Sequence, residues 1–160
     1  MASPSNIPQS SASASAPNPP QRTVYLIIKS QSSSSIKPSY SISCTASNPS
    51  QPPHSSLHSL TLPSPHNATV TLTPSSTTRG AVEVVNIWAV SFSAAQDTLE
   101  TQVSALEEEA KNVGETVRHS TRNNEDHQVI GRGLILGEEG DQTDVGWHVY
   151  WDIEEVRLPG

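Results

Sequence analysis

No aspartate or glutamate occurs in the first eighty residues of this 160-residue chain, and only four basic residues do: Arg22, Lys29, Lys37 and Arg79. All 16 carboxylates lie in residues 81–160 against five basic residues, so the net charge of −7 divides into +4 and −11. Nucleic-acid binding needs clustered lysine and arginine to neutralise phosphates. Four scattered cations are no such cluster and the second half is acidic, so no nucleic-acid partner is expected. Cys44 is the one cysteine, which rules out an internal disulfide and fits a reducing compartment. No catalytic-thiol signature surrounds it, so it reads as a small half-buried residue. Apolar runs on the order of 18 residues are absent, so neither a transmembrane helix nor a membrane partner is expected. The opening MASPSNIPQSSASASAPNPPQ has no apolar core of a secretion signal and lacks the arginines of a mitochondrial presequence. A cytoplasmic or nuclear protein follows.

Complete chemical motifs are missing as well. GRGLILG, residues 131–137, is neither a Walker A loop nor a G-x-G-x-x-G, and no helix follows to hold a phosphate. The acidic run with Glu138, Glu139, Asp141 and Asp144 lacks the ligand spacing of an EF-hand and reads as a solvated loop. His54 and His58 have helical i, i+4 spacing, but prolines precede them, so they make no zinc face. There is no G-x-S-x-G elbow. No catalytic residue, metal ligand or cofactor is therefore expected.

What is there divides sharply. Residues 1–80 hold 22 serines and 12 of the 13 prolines. Residues 1–21 read as a disordered Ser/Pro-rich tail, because such side chains bury too little to offset the entropy of ordering. RTVYLIIKS, 22–30, is abruptly apolar and β-branched, a strand. SYSISCTA at 39–46, LHSLTL at 57–62 and ATVTLT at 68–73 alternate apolar with hydroxyl residues and read as weaker strands, the last two a hairpin across PSPHN. Their rival is one disordered insertion over 31–79. AVEVVNIWAVSF, 81–92, carries apolar residues on both faces and reads as a central strand.

A long helix follows. Ser93 and Gln96 form a capping-box pattern, and Leu99, Val103, Leu106, Ala110, Val113 and Val117 recur as one stripe over about seven turns. Arg118 and His119 suit its negative end. Gly114 inside it costs about 1 kcal/mol against alanine. Packing on the chain's own sheet is the default for this stripe. A parallel coiled coil would place Glu100 and Glu107 at e and Glu109 at g, with like charges flanking the seam. Residues 119–127 read as a loop. Residues 128–136 read as a strand, with a bulge or close packing at Gly131 and Gly133.

Three of the seven aromatics stand within residues 147–151. In WHVYWDIEEV, Trp147, Val149, Trp151 and Ile153 alternate with His148, Tyr150, Asp152 and Glu154, the period of a half-buried strand. The first set is expected in the core. His148 and Tyr150 are then left on the outer face as a candidate interaction surface. Arg157–Gly160 are expected to lie loose.

The fold class is α+β: an antiparallel β-sheet with one long helix packed on a face. Residues 22–156 are read as one domain with Ser/Pro-rich loops at 31–38, 47–56 and 74–80. Ser3, Ser64 and Thr73 each precede a proline and are candidate phosphorylation sites. The functional expectation is a non-enzymatic protein-interaction module: a small subunit, adaptor or assembly factor, with a protein partner in a homo- or heterodimer. The alternative is a small enzyme or ligand-binding domain with a pocket between helix and sheet.

Overall fold

A computed structural model describes residues 22–33, 36–48, 50, 52, 54–75, 80–137 and 147–159. The expected tail, Ser3 and the acidic run at 138–144 lie outside them. The element order is β1 (Thr23–Ser32), β2 (Tyr40–Ala46), β3 (Ser55–Ser56), β4 (Ser59–Leu62), β5 (Ala68–Pro74), β6 (Ala81–Ala89), α1 (Phe92–Asn112), β7 (Thr116–Asn123), β8 (Val129–Gly137) and β9 (Trp147–Arg157). The α+β class holds, with antiparallel sheets and one helix packed on them. Among the described residues the sheets number two: β6–β1–β9–β8–β7 and β2–β5–β4–β3. The Ser/Pro-rich segment after β1 thus supplies the whole smaller sheet.

The larger sheet is the middle layer. On one face α1 presses Ala95, Leu99, Val103 and Ala110 against Ile27, Leu134, Leu136, Val149, Trp151 and Ile153. On the other, Leu60, Leu62, Val70 and Leu72 of the smaller sheet meet Val24, Leu26, Ile28, Val82, Val84 and Val156. A strand buried on both faces reads as a continuous apolar run. That strand is β1, with β9 beside it. β6, the expected central strand, lies at the sheet edge instead. Its outer side is capped by the turn between β3 and β4: Val84 N donates to Leu57 O at 2.8 Å, and His58 Nε2 donates to Val82 O at 2.8 Å. Such capping protects an edge from foreign pairing.

The helix differs from its expected bounds at both ends. Ser91, not Ser93, is the N-cap, its side chain accepting from Ala94 N at 3.1 Å. At the other end Glu115 N donates to Ala110 O and Gly114 N to Lys111 O, with Gly114 at φ 85°. This is a Schellman stop, for which glycine is the preferred left-handed residue. Gly114 therefore ends the helix rather than weakening it, and Val113 is exposed. Residues 116–123, expected as the end of the helix through Val117 and Arg118 and then as loop, form β7, because the helix stops at Gly114 and pairing with β8 satisfies a backbone whose polar side chains gave no alternation.

Three expectations about β9 also change. Trp147 is 43% exposed, standing at the start of the strand with its indole N–H donating to Gln31 Oε1 at 3.0 Å. Asp152 and His148 are 2% and 1% exposed, because the side opposite the helix is covered too. Leu158 is buried and its N–H donates to Arg22 O at 2.8 Å, so the end of the chain is not loose there.

Candidate functional site

The sheet has a seam that parts. β8 and β9 pair from Trp147–Leu136 to Asp152–Gly131 and no further, while β9 continues against β1 as far as Arg157. The cause is local. On the β7 side Arg122 faces Gly131 and Asn123 faces Val129, so Ile130 is an extra residue, a bulge. Bulges bend a strand and end its pairing. Beyond Gly131, β8 leaves β9 and carries the β7–β8 turn away with it.

The gap is a cleft of about 410 Å³, walled by Asn124, Gln128 and Ile130 on the hairpin side and Ile153 and Glu155 on β9, with Tyr25 and Phe92 closing it. Asn124 shapes the hairpin wall: its Oδ1 accepts from Asp126 N and Gln128 N, both at 2.9 Å, and its Nδ2 donates to Gln128 Oε1 at 3.0 Å. Gln96 leaves its expected capping box and donates instead to Val129 O at 3.2 Å, satisfying a carbonyl in the stretch that β9 no longer pairs. Tyr25 and Phe92 meet edge-on with centroids 5.9 Å apart. The Tyr25 hydroxyl reaches Glu155 Oε2 at 3.4 Å, and burial, then the Glu155 charge, raises its pKa. The result is an apolar floor with one carboxylate at its rim.

A second concavity, about 170 Å³, opens on the face away from the helix among Lys37, Ser120, Arg122, Gly131, Tyr150 and Asp152. Its floor is glycine for want of space: a Cβ on Gly133 would stand 2.4 Å from Ser120 Oγ, and one on Gly131 2.8 Å from Asp152 Oδ1. Buried Asp152 places one oxygen on Lys37 and the other on Arg122. Tyr40 donates to Glu154 two residues on; burial and that carboxylate hold the phenol proton well above its ordinary range. The two carboxylates tie the β1–β2 connector and β7 to β9. A carboxylate held by two internal cations is a structural tie.

His148 and Tyr150 lie on this second face. Their rings stack at 6.2 Å, and the Tyr150 hydroxyl lies 3.4 Å from His148 Nδ1. Only half-buried Tyr150 retains surface, so the buried imidazole cannot serve as a contact face. Ser64 and Thr73 are both exposed, Thr73 on β5 opposite Ser41. Cys44 is half-buried on β2, and burial pushes its thiol up. Among the described residues no helix is long and apolar enough to cross a membrane. The cleft residues Tyr25, Phe92, Asn124, Gln128 and Glu155 escaped sequence reasoning. The glycines at 131 and 133 were the one signal nearby, one and three residues past the bulge at Ile130. No family model matches this chain, and neither the curated proteins nor the solved structures yield a match.

Proposed function

We propose that the chain is a non-enzymatic protein-interaction module that receives an extended segment of another protein in the cleft between β8 and β9. One observation carries this: β9 stays extended and paired to β1 through Arg157 after losing β8 at Asp152. A half-paired strand beside an apolar floor is the setting in which a foreign strand adds, its backbone giving affinity and its alternate side chains specificity. The contrast with capped β6 supports the reading, since among the described residues no turn hydrogen-bonds across this opening. A small subunit or adaptor in the cytoplasm or nucleus fits such a module. The second reading, a small-ligand site, has the volume in its favour, for such pockets run from about 300 to 1,000 Å³.

A photo-crosslinking residue placed at exposed Gln128, on the cleft wall, tests this in the native cells. It should join the chain to a discrete protein partner, and the same residue at Glu108 on the exposed side of α1 should not. Equal labelling from both positions, or none from Gln128, contradicts the reading.

A further inference from the structure

The two concavities treat their carboxylates differently. Asp152 is matched by two cations from its own chain. Glu155 is matched by none: among the described residues its contact is the Tyr25 hydroxyl at 3.4 Å. Arg157, two positions on along the same strand face, forms no ion pair with it among the described residues. Among the described residues, no basic one lines the cleft. The turn on the opposite wall adds Glu125 and Asp126, both exposed. Asn124 has spent its side chain on that turn.

We propose that the segment accepted by this cleft carries an arginine whose stem lies on Phe92 and Ile153 and whose guanidinium ends on Glu155. This rests on the reading of the cleft as a strand acceptor. The chemistry matches along its length. An arginine buries an apolar stem while its charged head stays at the surface. The floor here is apolar and the carboxylate stands at the rim. The edge-on Tyr25–Phe92 pair offers an aromatic face at that rim, which a planar guanidinium uses better than an ammonium. The overall charge of residues 81–160, −11, steers a cationic segment toward this half.

The test is an amide NMR titration of the full chain with capped pentapeptides Val-Thr-X-Thr-Val, where X is arginine, citrulline or glutamate. Citrulline keeps the shape of arginine and removes the charge. The arginine peptide should shift the amides of Gln128, Ile130 and Ile153–Arg157 and bind about fivefold more tightly than the citrulline peptide, the scale of one half-exposed ion pair. Glu155→Gln, a change at an exposed position, should erase that advantage, and 1 M salt should shrink it. Equal binding of arginine and citrulline peptides overturns the arginine inference and leaves the strand acceptor standing. No shift with any of the three overturns both. Preference for the glutamate peptide also overturns the inference.

Discussion

A Cβ built on Gly80 would stand 2.0 Å from the carbonyl oxygen of Gln31, at φ 109°, whereas one on Gly114, at φ 85°, would meet nothing within 4 Å. Both backbones favour glycine, but only the first also lacks space. Gly114→Ala should therefore cost about 1 kcal/mol, the left-handed penalty alone. Gly80→Ala should cost clearly more, because backbone must move; urea midpoints of the two variants compare them. The tryptophans separate in the same way. Trp151 is 1% exposed against the helix, and its loss should cost about 3–5 kcal/mol, while Trp147→Ala should cost a fraction of that. Equal destabilisation by the two would place Trp147 in the core after all. The alternation of WHVYWDI was legible in sequence, and it put Val149, Trp151 and Ile153 inside. Where the covering helix stops was not, because that depends on how α1 lies across the sheet.

At the scale of elements, α1 was readable because its stripe repeats, and its true centre is Leu99 and Val103 rather than half-buried Leu106. Val103→Asp should unfold the chain, since an uncompensated carboxylate would enter a closed core; a native-like melting curve would show the helix free of the sheet. β7 was not readable. HSTRN has no alternation because as an edge strand it meets little of the core, and its pairing with β8 is fixed by backbone. Side chains tie it to α1 as well: His119 Nε2 donates to Glu107 Oε2 at 2.8 Å while its Nδ1 accepts from Arg132 at 2.9 Å. Lys111 and His119 hold the Glu107 pKa below its ordinary 4.5. A lowered folded pKa means the link is complete above the unfolded value and is lost as pH falls through the folded one. Amide protection factors around His119, taken relative to intrinsic exchange at each pH, should fall below about pH 4.5, and less so in Glu107→Gln, whose side chain does not titrate there. Identical pH profiles would mean the pair contributes nothing to holding β7.

For the molecule as a whole, β9 is the strand on which everything converges. It joins β1 to β8, lies under α1, and anchors Lys37, Tyr40 and Arg122 through Asp152 and Glu154. Removing residues 141–160 should give an unfolded or insoluble product. Burial of Val149, Trp151, Ile153 and Val156 contributes roughly 1.5–3 kcal/mol each, comparable in sum to the stability of a whole domain. The three-layer order was not read from the sequence: apolar residues on both faces marked β6, which lies at an edge, whereas β1 is the strand covered on both sides. The cleft was not legible either, because it arises from a pairing that stops, and neither partner strand signals alone where its neighbour leaves. Backbone exchange reads that departure directly. In β9 alternate amides face β1 and β8, so residues 147–152 should be protected without a break. From Ile153 to Arg157 protection should alternate, slow for amides facing β1 and fast for those facing the cleft. Adding the arginine pentapeptide should slow the fast set. Unbroken protection through Arg157 in the chain alone would mean that β8 never leaves β9, and the acceptor cleft would not exist.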